Sequence, residues 1–254
     1  EVLENIAEKV TDKDEKLLKQ IAITAMTGKG AEGNKEALAE LCVKAVKQIR
    51  DNDGTINLDN IKLEKKQGGG IEDTELIQGI LIDKEKVHSA MSRLVKNAKI
   101  ALLDCALEVK SPETDTKIQI NTPDQLQGFL DQEEKILRSM ADKIIKSKAN
   151  VVICQKGIDD VVQHYLAKSD IYAVRRVKKG DMDKLARAIN GNVVSNLNDL
   201  NEQDLGYAGV VEEIKVGDEM MTFVKECKNP KAVTILVRGG ANHVIDEIER
   251  AIKD

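Results

Sequence analysis

Tryptophan is missing from all 254 residues, and Phe129, Phe223, Tyr165, Tyr172 and Tyr207 are the whole aromatic complement, 2% of the chain. So small a set argues against an aromatic stacking platform for single-stranded nucleic acid. A surplus of positive charge is missing too: 39 Lys and Arg against 44 Asp and Glu leave −5 at pH 7. A protein that grips a phosphate backbone is expected to show the opposite balance. The four cysteines, Cys42, Cys105, Cys154 and Cys227, form no CxxC pair, which removes a compact zinc motif. Cys105 and Cys154 sit in the apolar runs IALLDC and NVVIC, where a thiol reads as a small buried hydrophobe. No apolar run approaches the roughly 18 residues of a membrane span, and no secretory leader opens the sequence. A cytoplasmic chain with no membrane partner is expected.

What is present is an ordinary globular balance, 41% hydrophobic and 33% charged, with three prolines and many helix formers. Residues 13–50 read as two helices broken at Thr27-Gly28-Lys29-Gly30, and Ala37, Leu38, Leu41, Ala45, Val46 and Ile49 recur at helical spacing in the second. Short strands are expected over 57–63 and 76–82, around Gly68-Gly69-Gly70. From about residue 98 strands and helices alternate, with apolar runs at 100–103, 151–154, 171–177, 193–194, 210–214, 221–224 and 232–237 and helices at 157–168 and 180–190. The expected fold class is α+β or mixed α/β, a sheet core flanked by helices. A last helix, 243–254, has no stop signal, and the first residue is Glu, so a portion of a longer chain is expected.

Pro123 opens a helix expected to run to about Lys148. Its apolar stripe is Leu126, Phe129, Leu130, Ile136, Leu137, Met140, Ile144 and Ile145, interrupted by Glu133 and Glu134. Pattern alone leaves two readings: a surface helix packed on the sheet, or an excursion from the body behind the polar lead 110–122. Thr27 to Gly30 invites a phosphate-loop reading, but the earlier Gly and the Ser or Thr after Lys29 are missing, so a helix-ending turn is the simpler one. Asp51 to Gly54 fails as a calcium loop because its twelfth position is Lys62. His88, His164 and His243 show no metalloprotease spacing, and Asp159-Asp160 before His164 reads as a surface pair. The cluster Arg175-Arg176-Val177-Lys178-Lys179 reads as a solvated strand end or a grip for an acidic partner.

Longer strings carry more. AITAMTGKGAEGNKE, DNIKLEKKQGGGIEDTELIQGILIDKEKVH, NAKIALLDCALEVK, ANVVICQKGIDDVVQHYLAK, YAVRRVKKGDMDKLARA and ECKNPKAVTILVRGGANHVIDEIERAIKD resemble an archaeal group II chaperonin, the thermosome family, over essentially the whole chain. Members of that family are about twice this length, and their ATP-binding GDGTT motif does not occur here. The resemblance implies an equatorial remnant over 1–13, an intermediate domain over 14–82 and 236–254, and an apical domain over 83–235 whose helical protrusion, a built-in lid, spans about 110–148.

Site residues follow from the resemblance position by position. Thr27, Gly28, Lys29 and Gly30 match a nucleotide-sensing loop, and Asp254 matches the carboxylate that orients the attacking water in ATP hydrolysis. Gly79 and Pro230 fall at the apical hinge. Ile118 and Ile120 are expected in a lid strand that pairs between subunits, and Leu126, Phe129 and Leu130 at a client-binding tip. ATP and Mg2+ are the implied cofactors, held mainly by the absent equatorial domain, with no metal ligand from this chain. Implied partners are unfolded client proteins and homologous subunits in a double ring, with no nucleic acid. The competing reading is a standalone chaperonin-like binding module within a larger protein, and this chain alone is expected to be inactive towards ATP.

Overall fold

The computed structural model describes residues 7, 10–11, 14–28, 32–51, 53–109 and 122–254. Within them the chain runs α1 (Glu15–Met26), α2 (Lys35–Ile49), β1 (Ile61–Gln67), β2 (Glu75–Ile77), β3 (Ile80–Ile82), β4 (Leu94–Leu103), α3 (Pro123–Lys146), β5 (Val151–Cys154), α4 (Asp160–Lys168), β6 (Tyr172–Val174), α5 (Lys179–Ile189), β7 (Val193–Val194), β8 (Gly206–Val216), β9 (Glu219–Lys225), β10 (Val233–Gly239) and α6 (Asn242–Lys253). It divides into two units, Glu1–Gln78 with Lys231–Asp254, and Gly79–Pro230.

The first unit is built on a three-stranded sheet of order β1-β10-β2. Strand β10 pairs in parallel with β1 from Ile61↔Val233 to Gln67↔Gly239, and antiparallel with β2. Its residues are buried except Arg238, as a strand flanked on both edges requires. Helical spacing supplies the cover: Leu38, Ala45 and Ile49 of α2 and Ile245, Ile248 and Ala251 of α6 pack with Met26 against Val233, Ile235 and Val237. Each fully buried Ile or Leu there is worth about 1.5–3 kcal/mol of transfer free energy.

The second unit holds a mixed sheet of order β3-β9-β8-β4-β5-β6, with β7 on β4. Strand β4 joins its two styles, antiparallel to β8 over residues 94–100 and parallel to β5 over 100–103. The loop after β3 returns to the far edge of the sheet. Val87 N–H donates to Ala173 O at 2.9 Å. Thr222 Oγ1 donates to Lys84 O at 2.8 Å and shares a buried 2.7 Å hydrogen bond with the Tyr172 hydroxyl. The second core gathers Ala101, Leu103, Val152 and Ala173 from the sheet with Leu137, Ala141 and Ile144 of α3 and Val162 and Leu166 of α4.

Several expected bounds shift, each for a local reason. The strand expected over 76–82 is two strands, because Gly79 turns the chain and β2 and β3 pair in different sheets. For the same reason the units divide at Gln78/Gly79 and Pro230/Lys231, a few residues before the expected 82/83 and 235/236: residues 80–82 pair with β9, whereas β10 pairs with β1. The strand expected over 171–177 stops at Val174, ahead of Arg176 in the left-handed region (φ 57°). Helix α3 ends at Lys146, capped at Ser147 and followed by left-handed Lys148. Most of the expected equatorial remnant, 1–13, lies outside the described residues.

Candidate functional site

Two helix ends of the first unit open onto one concavity. Helix α1 stops at Met26, where Thr27 leaves the helix and its hydroxyl donates to Ile23 O at 2.8 Å. Gly28 follows with φ 79°, a conformation that disfavours any side chain, and, its chain neighbours aside, no atom of the described residues lies within 4 Å of where its Cβ would be. Helix α6 ends at Asp254, whose backbone N–H donates to Arg250 O. Asp254 and Met26 line the same concavity, of about 320 Å³, with Leu18, Ile21, Cys42 and Leu58 on its largely apolar wall. The structure thus brings Asp254 to the same concavity as Met26, the last residue of α1, while Thr27 and Gly28 are not among its lining residues. Lys29 and Gly30, named with them from the sequence, lie outside the described residues.

Among the described residues of that wall the charged groups are Asp254, Lys47 and Lys253. Lys47 is held by Glu15 at 2.6 Å and Lys253 by Glu249 at 2.7 Å. No group of three or more His, Cys, Asp or Glu side chains is placed to hold a metal ion among the described residues. Burial pushes the Cys42 thiol up to about 11, which disfavours the thiolate form. Burial likewise pushes Cys154 and Cys227 up to about 12 and raises half-buried Cys105.

Gly79 and Pro230, expected at a hinge, are the first and last residues of the second unit. Gly79 has φ 152°, and a Cβ there would lie 2.0 Å from Val224 O and 3.3 Å from Cys227 Sγ. Nothing larger fits without pushing β3 off β9. At the other crossing Glu226 and Asn229 are both left-handed and Pro230 is buried.

Helix α3 has two characters. Thr122 caps it by accepting from Gln125 N–H, and Pro123 occupies its first turn. From Pro123 to Ile136 every residue is exposed, with Leu126 47%, Phe129 46% and Leu130 51% open to solvent. From Leu137 the apolar positions turn inward, and Leu137, Ala141 and Ile144 are buried. Ile136, expected to pack with them, is instead 41% exposed, because burial faces one side of the helix and Ile136 lies off that line. Ile145 is also exposed. Ile118 and Ile120 lie outside the described residues.

Some groups that sequence reasoning left apart are neighbours. The rings of His88 and His164 meet edge to face at 6.1 Å, and His164 meets Tyr165 in the same way. No sequence spacing signals a contact between a loop and a helix so far apart in the chain. The Asp159-Asp160 pair does not engage His164: Asp159 caps α4 by accepting from Val161 N–H at 2.8 Å, and Asp160 accepts from Gln163 Nε2 at 3.0 Å. In the basic cluster, Arg175 reaches Ile158 O at 3.4 Å and Val177 is buried.

A model of the TCP-1/cpn60 chaperonin family matches residues 1–254. The chain belongs to that family. Among its relatives, a thermosome subunit of Methanopyrus kandleri is 61% identical, and a thermosome subunit beta of Thermococcus sp. strain KS-8 is 57% identical, each over 100% of this chain and 47% of the relative. A solved open-state monomer of a group II chaperonin from Methanococcoides burtonii superposes with a TM-score of 0.80 at 44% identity, covering 100% of this chain and 58% of that one. The mixed α/β architecture is that of this chaperonin. The chain spans about half the length of the curated relatives it matches. No helix among the described residues is long and apolar enough to cross a membrane.

Proposed function

We propose that this chain is the client-handling and nucleotide-responding half of a cytoplasmic molecular chaperone, a subunit of an ATP-driven double-ring chaperonin that encloses unfolded proteins for folding. The observation that carries the reading is the chaperonin match over all 254 residues. That match runs through thermosome subunits in which the chain is about half a longer protein, which favours a ring subunit over a standalone binding module. Three features of the chain supply parts for such a machine.

The first is the exposed half of α3. An unfolded polypeptide exposes the apolar side chains that folded proteins bury, and Leu126, Phe129 and Leu130 offer it an apolar surface. The second is the pair of crossings at Gly79 and Pro230, where a rigid-body rotation of the second unit needs only a few backbone dihedrals to change. The third is the concavity that holds Asp254. ATP, held with Mg2+ by the remaining half of the protein, would supply the γ-phosphoryl group that passes to water, with ADP as the leaving group and the metal ion neutralising the developing charge. Asp254 accepts a hydrogen bond from a water and holds it for in-line attack, and the Thr27–Gly30 turn senses the terminal phosphate through Lys29. Beyond these three, the Ile118–Ile120 segment is proposed to pair between the lids of neighbouring subunits when the chamber closes.

The test uses the full-length protein. Size-exclusion chromatography and electron microscopy are expected to show a double ring, and a monomer under every nucleotide condition would overturn the proposal. In that ring, Asp254→Ala is expected to lower ATP turnover about 100-fold or more, on the scale of losing a group that positions the nucleophile, while ATP binding stays within about twofold of the parent. Loss of binding instead would show that Asp254 has another role.

A further inference from the structure

One helix, α3, is anchored along residues 137–146 and bare along residues 123–136, and the change happens within a single turn. The bare half is about as long as the shortest helices that hold together alone in water, and it carries Gly128, which has no atom within 4 Å of its missing side chain. Its order therefore has to be imposed from the anchored half. At the boundary one side chain of α4, Tyr165, makes two contacts with α3. The hydroxyl of Tyr165 on α4 donates to Glu134 Oε1 at 3.2 Å. The guanidinium of Arg138, one turn further along α3, sits 5.8 Å from the centroid of the Tyr165 ring. Tyr165 is itself held from below: its ring packs against the core of the second unit and meets the edge of His164, which in turn meets His88.

We infer that Tyr165 is the positioning residue of the client arm, a clamp that fixes where and at what angle the exposed half of α3 leaves the body. Glu134, which interrupts the apolar stripe, is the arm's side of that clamp. The carboxylate fixes the last exposed turn through the hydroxyl, and Arg138 fixes the first anchored turn through the ring, so one side chain grips both sides of the boundary. An arm held in this way presents Leu126, Phe129 and Leu130 with less ordering left to be done on contact, which is what preorganisation contributes to binding. For its purpose the inference rests on the reading of the arm as a client surface. Its test contains no client, so its failure and the failure of that reading are distinguishable.

The experiment is short-pulse hydrogen exchange read by mass spectrometry on the full-length protein, comparing the parent with Tyr165→Phe, Glu134→Ala and Glu134→Gln. The Phe variant keeps the ring, its packing and its contact with Arg138, and loses only the hydroxyl. Amides of residues 123–136 are expected to exchange about fivefold faster in Tyr165→Phe and in Glu134→Ala, a size fitting the loss of one solvent-exposed hydrogen bond of ordinary net strength. Glu134→Gln, which keeps a carbonyl acceptor in place, is expected to restore exchange to within about twofold of the parent. Amides of 137–146 and 151–174, and the melting temperature, are expected to stay unchanged. Unchanged exchange over 123–136 in Tyr165→Phe overturns the inference. Acceleration shared equally by 151–174 also overturns it, because that is the signature of a residue that merely supports the core.

Discussion

The two halves of α3 have nearly the same sequence character and opposite fates. Leu126, Phe129 and Leu130 repeat at helical spacing, as do Leu137, Met140, Ala141 and Ile144, yet the first group is about half exposed and the second is largely buried. Periodicity says that a helix has an apolar side, and it is silent on what lies against that side. In the anchored half the answer is Val162, Leu166 and the sheet. In the other half no described residue of the second unit buries the apolar side chains. An uncovered stripe carries a solvation cost that a free-standing domain gains nothing by keeping, which is why it points to a partner.

The sharpest way to break the comparison is to truncate the anchored half. Ile144 is 0% exposed and Leu137 3%. Ile144→Ala and Leu137→Ala are each expected to cost about 2–5 kcal/mol, the range for large-to-small changes in a packed core. In the full-length protein this is read as a lower denaturant midpoint of the transition that reports on the second unit. A loss under about 0.5 kcal/mol for both would mean that the two halves do not differ.

The exposed half is expected to respond in the opposite sense. Replacing Leu126, Phe129 and Leu130 together with Ala should change stability by no more than about 1.5 kcal/mol, since surface substitutions fall within about 0.5 kcal/mol each. The same variant should suppress aggregation of a chemically denatured client at least several-fold less well. A large fall in melting temperature would show that the tip is packed, and undiminished suppression would show that clients bind elsewhere.

How much of this was legible in the sequence differs from place to place, for reasons that lie in the residues. The apolar runs of β5 and β10 read directly, because each is short, almost wholly buried and rich in β-branched residues, and the two valines of β7 read the same way although only Val194 is buried. The first part of β4, Leu94 to Lys99, did not: it alternates with exposed Lys and Asn, and only its antiparallel pairing with β8 makes it a strand. The single strand expected across Gly79 was wrong for a similar reason, since sheet membership depends on which partner each side of the glycine meets. At the candidate site, Asp254 and the Thr27-Gly28 turn were reachable only through family resemblance, because one carboxylate and one glycine turn have no spacing that sets them apart. The Tyr165–Glu134 contact joins two helices across a long sequence gap, and no local pattern encodes it.

Ile136 gives the smallest and finest test, because it sits where the comparison turns over. Its neighbour Leu137 is buried, and its own side chain is 41% exposed. It stands two turns on from Phe129, so it continues the line of the exposed tip on the near side of Glu133 and Glu134. If those two carboxylates divide a client surface from a packed surface, Ile136 belongs to neither and Ile136→Ala changes little in either assay. If the client surface instead extends along the Phe129 line, the change weakens aggregation suppression while melting stays put. Exposure at this level points to a stability cost of no more than about 0.5 kcal/mol, and we expect suppression to fall by less than half of the drop seen for the triple tip variant. A melting shift matching that of Leu137→Ala would move the boundary of the arm one residue towards its tip, to between Lys135 and Ile136.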